Sequence, residues 1–190
     1  MTVGNILSTS AFLLGDEKLS NKIDQHLKDD TPFSKEEKEE VDKLLKCYNI
    51  TIQELSEEYL PLTFTEELKS DTNKFYYKDF KKVPIEIKSV YRSVIPLNFK
   101  VFPTYFVTDG NTCTVKYCYL YMPKTDLKEH CEYENSLITK RIIAEGVVSE
   151  MLLNKGMFEQ ALLWRDRYTK SLQNALLKRK VKKVKARGWY

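Results

Sequence analysis

Residues 100–121 read KVFPTYFVTDGNTCTVKYCYLY, and this stretch decides the fold class. In its second half, large residues recur at every second position: Val115, Tyr117, Tyr119 and Tyr121. This period is typical of a β-strand with one aromatic face. Asp109-Gly110 supplies the positive backbone angles of a tight type I′ turn. We therefore predict a β-hairpin with strands over residues 100–107 and 112–121.

The hairpin belongs to a wider β region. Five of the six prolines lie between residues 61 and 123, together with a concentration of β-branched and aromatic residues. Residues 74–77 and 83–91 have the composition of further strands. About five strands are expected, enough for a small antiparallel sheet or a partial barrel.

On both sides of the β region, apolar residues recur with the helical period. Before it we predict a first helix that Gly15 ends, a short second helix, and a third that begins at a Ser34/Glu37 capping box and continues to about residue 59. After residue 134 we predict two helices joined by a turn at Asn154-Lys155-Gly156. The second of them has its apolar stripe at Phe158, Ala161, Leu162, Tyr168, Leu172, Ala175 and Leu176.

The order of helices, strands and helices predicts an α+β fold in which a helical bundle carries an inserted small antiparallel β-sheet or partial barrel. We assign residues 1–60 and 132–177 to the bundle, because the helices at the two ends of the chain have apolar faces that need each other. Residues 61–131 form the β insertion. Residues 178–190 form a separate basic C-terminal tail.

The charge of the chain is unevenly distributed. The whole chain carries +4, and seven basic residues and no acidic ones lie at residues 178–190, so residues 1–177 carry −3. The basic residues of the tail are Lys178, Arg179, Lys180, Lys182, Lys183, Lys185 and Arg187, and Trp189 and Tyr190 end the chain. A mildly acidic body therefore precedes a strongly basic, aromatic-tipped tail.

The sequence contains no motif for catalysis, metal binding or phosphate binding. Its four cysteines and two histidines lack metal-ligand spacing, so we expect the cysteines to be reduced thiols. We expect the same of Cys131, although His130 stands beside it in the sequence. The acidic pairs Glu57-Glu58 and Glu66-Glu67 are expected to be solvated. No apolar run reaches the length of a membrane-spanning helix. We predict that the protein is not an enzyme, binds no cofactor and does not enter a membrane.

Charged and aromatic residues on the last two helices are expected to serve packing or docking. Glu145, Glu150 and Arg141 lie on one helix and Arg165, Asp166 and Arg167 on the other, so ion pairs between the two helices are expected. Trp164 has the spacing of a core or interface residue. These features predict contacts between helices or between subunits.

A tail with seven cations cannot bury itself and gains order against a partner, which its aromatic tip can anchor. Two partners fit this composition: nucleic acid phosphates bound without sequence specificity, or an acidic protein groove that receives Trp189. The third interpretation is a frayed end of the last helix without a function.

Several short motifs along the chain resemble those of one protein family. They are Thr2-Val3 leading to Leu13-Leu14-Gly15, residues 58–62 (EYLPL), residues 115–119 (VKYCY) before Pro123, Ala144-Glu145-Gly146 with residues 156–161 (GMFEQA) and 164–168 (WRDRY), and Arg187-Gly188-Trp189. On these residues the chain resembles the head-to-tail connector proteins, also called adaptor or neck proteins, of tailed bacteriophages and prophages of low-GC Gram-positive bacteria. It is distantly similar to tail tubular protein A.

The resemblance implies a structural virion protein. Such connectors form a ring of about twelve copies beneath the capsid portal, continue the DNA channel and bind a tail or neck-completion protein below. It places the protein in the virion neck after synthesis in the bacterial cytoplasm, with double-stranded DNA passing without specific binding. Portal docking is carried over to the tail, with Trp189 as the anchor. The alternative is a nucleic-acid-binding protein that uses the basic C-terminal arm.

Overall fold

A computed structural model of the chain describes residues 1–134 and 137–177. Within these residues, five α-helices and two small antiparallel sheets confirm the α+β class, and neither sheet closes into a barrel. By compactness the chain divides into two units. The helical unit comprises Met1–Ile52 and the described residues from Pro123 onward, and the β unit is Gln53–Met122.

The helices lie where the apolar periods predict them. They are α1 (Val3–Leu13), α2 (Glu17–Asp29), α3 (Lys35–Glu54), α4 (Lys140–Asn154) and α5 (Phe158–Leu177), and a π-helical turn at Leu55–Tyr59 continues α3. None of the helices in residues 1–134 and 137–177 is both long and apolar enough to span a bilayer.

The helix ends confirm the predicted caps. The Ser34 amide donates to Glu37 Oε2 at 2.7 Å, and the Glu37 amide donates to Ser34 Oγ at 3.3 Å, which is a capping box at the start of α3. Gly15 after α1 has a φ of +83° and Gly156 after α4 has a φ of +73°. Both values lie in the left-handed region that glycine adopts without steric cost.

Within the helical unit, α1 packs against α2 and α4, and α4 packs against α5. Backbone amides at the start of α1 donate to the segment before α4: Val3 N to Glu129 O at 2.9 Å and Gly4 N to Leu127 O at 2.8 Å. These bonds satisfy two of the donors that a helix start leaves free. By compactness, residues 123–131 therefore belong with the helices, whereas the division made from the sequence placed them with the strands.

The β unit contains seven strands, two more than expected. They are β1 (Thr63–Lys69), β2 (Lys74–Tyr76), β3 (Pro84–Arg92), β4 (Ile95–Pro96), β5 (Phe99–Val101), β6 (Tyr105–Thr108) and β7 (Thr112–Tyr119). Sheet 1 has the order β1-β7-β3-β4, and sheet 2 has the order β2-β6-β5. The strands predicted over residues 74–77 and 83–91 are confirmed as β2 and β3.

The predicted hairpin is wrong. Strand β7 pairs with β1 and β3, and β6 pairs with β2 and β5, so β6 and β7 belong to different sheets. Gly110 has a φ of +98°, whereas Asp109 has no positive φ, so the turn is not type I′. Instead, Arg92 Nη2 donates to the Asp109 carbonyl and covers Gly110, where a Cβ would lie 1.5 Å from that nitrogen. The turn transfers the chain from sheet 2 to sheet 1.

The aromatic alternation on β7 is confirmed, and it builds the core of the β unit. Val115, Tyr117 and Tyr119 are buried. The Phe80 ring lies 4.8 Å from the Tyr117 ring and 6.2 Å from the Phe106 ring, edge to face in both cases. One ring therefore joins sheet 1 to sheet 2.

Close approach of α3, α4 and α5 depends on Gly146. A Cβ at this position would lie 2.6 Å from Thr51 Cγ2 and 3.2 Å from Tyr168 Cε2. Thr51 cannot easily turn away, because its Oγ1 donates to the Cys47 carbonyl at 2.9 Å and its side chain is β-branched. Tyr168 is fully buried.

We predict that Gly146→Ala lowers the free energy of unfolding by about 1–3 kcal/mol through overpacking, despite the better helix propensity of alanine. Combining it with Thr51→Ser, which removes Cγ2 and keeps the hydroxyl, should recover part of the loss. Urea denaturation of the four proteins in this double-mutant cycle measures the coupling. Additive effects of the two substitutions would show that the contact is unimportant.

Candidate assembly surfaces

The predicted partner-binding residues of the tail all lie outside the described residues. They are Lys178, Arg179, Lys180, Lys182, Lys183, Lys185, Arg187, Trp189 and Tyr190. The last described residue is Leu177, at the end of α5. The tail, residues 178–190, therefore begins directly after the end of α5.

The α4–α5 hairpin has the predicted ion pair and the predicted aromatic contact. Arg165 Nη1 lies 3.5 Å from Glu150 Oε1, which confirms an ion pair between the two helices. Arg141 Nε instead contacts Glu145 Oε1 at 3.3 Å within α4. Trp164 packs against a buried cluster of Val148, Leu152 and Ala161, so its half-buried ring belongs to the core on one side.

Around the α4–α5 turn, large apolar side chains are exposed. We call this set the helical patch: Leu153, Met157, Phe158, Leu162 and Leu163. Leu162 and Leu163 expose 69% and 73% of their surface. The sequence pattern put Phe158 and Leu162 on the apolar stripe of α5, but of that stripe the helix buries only Ala161, Tyr168, Leu172 and Ala175. The fold does not need the exposed side chains, and clustered exposure of this kind is typical of an interaction surface.

The β unit carries a second apolar surface, at one end of sheet 1. We call it the β patch, and its members are Val83, Ile85, Leu120 and Met122, all exposed. They lie where β3 and β7 meet, since Leu120 N donates to Val83 O at 3.1 Å and Pro84 is in register with Tyr119. Strand β4 pairs only with Tyr91 and Arg92, so the rest of β3 forms an edge of the sheet.

One acidic pair differs from expectation. Glu67, Glu57 and Glu58 are exposed as predicted, but Glu66 is buried, and the prediction that it is solvated is wrong. Glu66 shares one face of β1 with Phe64 and Leu68, and its Oε1 accepts from Tyr117 Oη at 2.5 Å and from Lys81 N at 3.2 Å. Burial, and after it the hydrogen bond to Glu66, raises the pKa of Tyr117. The hydrogen bond therefore gives the buried Glu66 carboxylate a partner inside the β core.

The thiols do not form a reactive centre. All four cysteines are reduced, as predicted, and all four are buried: Cys47, Cys113, Cys118 and Cys131. Burial raises the pKa of Cys47 and Cys131, and it raises the pKa of Cys113 to about 11. Among the described residues no group of His, Cys, Asp and Glu side chains could hold a metal ion. The ring of His130 contacts Glu134 Oε2 at 2.6 Å.

Comparisons with known proteins do not assign the chain to a family. No protein-family model matches the sequence, and no curated protein is significantly similar to it. The functional interpretation therefore rests on the surfaces described above, and the connector resemblance stays a prediction.

We predict that iodoacetamide alkylates the four cysteines slowly in the folded protein at mildly alkaline pH. Burial raises the pKa of Cys113 from the ordinary value of 9.0 to about 11, and this alone lowers its thiolate fraction about a hundredfold. Mass spectrometry of each cysteine peptide over time measures the rates, and unfolding in urea should restore fast alkylation. Fast labelling of Cys131 in the folded protein would instead indicate a reactive thiol beside His130.

Proposed function

We propose that this protein is a structural connector subunit. It self-associates into a ring that joins the capsid portal to the tail of a bacteriophage and continues the DNA channel. It catalyses no reaction and binds no cofactor. The observation that supports self-association is the presence of two different exposed apolar surfaces, the helical patch and the β patch, on one chain.

The difference between the two patches favours a ring over a two-fold dimer. A two-fold dimer uses one self-complementary surface, whereas a ring joins one surface of each subunit to a different surface of the next. The helical patch comes from a helix hairpin and the β patch comes from a sheet end, so they share no residues. If the helical patch of one copy binds the β patch of the next, each copy has two neighbours.

The tail supplies the portal contact in this proposal. Its cations begin directly after Leu177, so a tail that docks on the portal places the C-terminal end of α5 close to that contact. The neighbouring copies bind through the patches and the portal binds through the tail. A tail or neck-completion protein binds on the opposite side of the ring.

Residues 1–177 carry −3, which suits a channel through which duplex DNA passes without being held. The final location is the virion neck, after synthesis in the bacterial cytoplasm. The alternative function is nucleic-acid binding by the basic tail, which seven clustered cations favour.

The ring arrangement makes a specific prediction for mixed variants. Leu163→Asp in the helical patch and Ile85→Asp in the β patch should each prevent ring formation, because each places a charge in an apolar contact. An equimolar mixture should form dimers and nothing larger, because one intact patch remains on each variant. Sedimentation velocity measures the species, and electron microscopy of the unmutated protein should show closed rings.

Val94→Asp is the control, because Val94 is 88% exposed and belongs to neither patch. It should form rings like the unmutated protein. If Ile85→Asp leaves dimers and Leu163→Asp leaves monomers, the association is two-fold through the helical patch alone. If the unmutated protein remains monomeric up to its solubility limit, self-association is disproved.

The tail separates the connector from the alternative function. We expect removal of residues 178–190 to leave ring formation unchanged, and we expect only weak binding of duplex DNA at physiological salt with or without the tail. Fluorescence anisotropy with a labelled duplex, titrated at several salt concentrations, measures the affinity. Tight binding at physiological salt that disappears with the tail would favour the nucleic-acid-binding arm.

A further inference from the structure

Sheet 2 has one face that packs within the β unit and one that is partly exposed. Phe75, Phe106 and Thr108 are buried on the first face, where they pack within the β unit. The side chains that alternate with them point the other way. On that second face, Tyr76 of β2 stands in register with Tyr105 of β6. The core of the β unit does not use this second face.

Three aromatic rings form a row across the second face. The rings of Tyr76 and Tyr105 lie 5.6 Å apart, and Phe102, which follows β5, stacks on Tyr105 at 4.8 Å with an interplanar angle of 18°. Two hydrogen bonds fix the backbone of Phe102 at the end of the row: Phe102 N donates to Tyr105 O at 2.8 Å, and the Tyr77 side-chain hydroxyl donates to Phe102 O at 2.9 Å. We call these three rings, Tyr76, Tyr105 and Phe102, the aromatic row.

Lysines lie beside the aromatic row on the same face. Lys74 and Lys100 are both in register with Val107, one on each neighbouring strand. They stand two residues along the strands from Tyr76 and Phe102, a distance of about 7 Å. Lys74 Nζ lies 5.6 Å from the centre of the Tyr105 ring, and Lys78 Nζ lies 5.6 Å from the centre of the Tyr76 ring. A line of ammonium groups therefore accompanies a line of rings.

The groove beside β2 also contains carboxylates. Asp71 and Asp79 line it together with Lys69, Lys74 and Tyr76. Counted with Lys78 and Lys100, four lysines face two aspartates around this surface. The surface keeps a positive excess, although a modest one.

We propose that the aromatic row and its lysines bind single-stranded nucleic acid. The bases stack on the rings of the row, and the backbone phosphates contact Lys74, Lys78 and Lys100. Every base offers a flat π face, so such a surface binds strands with little sequence preference. A β-sheet face with exposed aromatic rings and basic neighbours is a common platform for unpaired bases. The proposal uses none of the residues on which the connector proposal rests.

The chemistry favours an unpaired strand over other ligands. In duplex DNA the base faces are already stacked on one another, so a duplex can use the lysines but not the rings. A neutral oligosaccharide can use the rings but gains nothing from the lysines. The combination of both groups on one face fits a ligand that is flat, aromatic and anionic at once.

The test uses the full chain and a fluorescein-labelled oligothymidylate of about ten nucleotides, with binding measured by fluorescence anisotropy. The double variant Tyr76→Leu with Phe102→Leu keeps apolar side chains but removes two flat π faces. We expect it to bind at least about 25-fold more weakly, since two base–ring stacks are lost and each contributes a fivefold effect or more. Phe12→Leu, which removes an exposed ring of α1, is the control and should bind like the unmutated protein.

A second strand separates the rings from the basic tail. An abasic oligonucleotide of the same length has the same phosphates but no bases. The unmutated protein should bind it much more weakly than oligothymidylate, whereas the double leucine variant, which keeps only the Tyr105 ring, should lose most of this preference. The tail is identical in the two proteins, so the change in strand preference between them reports on the aromatic row.

Lysine variants test the phosphate contacts. Lys74→Gln with Lys100→Gln should reduce the slope of log affinity against log salt by about 1.4, which is 0.7 for each phosphate contact with a single strand. Lys88→Gln with Lys116→Gln removes the same charge from sheet 1 and should leave the slope unchanged.

Three results would overturn the proposal. They are equal binding of the abasic and the base-containing strand, unchanged binding by the double leucine variant, and binding of a neutral glucan oligosaccharide with no binding of oligothymidylate. The last result would make the aromatic row a saccharide site. Ring formation is measured separately by sedimentation, so this proposal and the connector proposal can each fail alone.

Discussion

The contact between Phe80 and Tyr117 is the constraint on which the β unit depends. The two rings meet edge to face at 4.8 Å, and Phe80 also reaches Phe106 on the other sheet. Sheet 2 has strands of only three or four residues and could not be stable alone. Phe80 gives it a core by packing it on sheet 1. Because one face of sheet 2 is used in this way, the aromatic row on its other face is left for a ligand.

In the helical unit the corresponding constraint is the absence of a Cβ at Gly146. It lets α4 approach Thr51 of α3 and Tyr168 of α5. Such close packing needs few large residues from α5, and two of its four buried positions are alanines. The large apolar residues of its first turns are therefore surplus to the core. Full burial of a leucine side chain contributes about 1.5–3 kcal/mol of free energy, so a partner that covers these residues gains binding free energy from them.

The sequence predicted the helices well, because their signals are local. Ser34 and Glu37 lie three residues apart, and Gly15 and Gly156 directly follow the helices they end. The hairpin failed because pairing in a sheet is not local. The Asp109-Gly110 signal favours pairing of β6 with β7, but β7 obtains partners on both sides from strands distant in the chain. A turn motif cannot report that competition.

The candidate surfaces could be predicted only in part, for the same reason. Composition and charge identify the basic tail at once, since seven cations stand together. Leu162 reads as a core residue in the helical pattern, because a period shows which residues share a face but not which face is covered. The aromatic row joins residues of two strands and the residue that follows a third, so it exists only once the register is known. Glu66 was missed because a buried carboxylate has no compositional signal.

The two proposed functions place different demands on one chain, and the chemistry of DNA reconciles them. A connector must let duplex DNA pass, so its channel must not bind the duplex strongly. The aromatic row meets this demand because the base faces of a duplex are already stacked and cannot reach the rings. Its lysines can also contact duplex phosphates, but Asp71 and Asp79 leave only a modest positive excess and no stacking on the rings adds to it. On the two proposals together, a surface of this kind would distinguish an unpaired end or an opened strand from intact duplex.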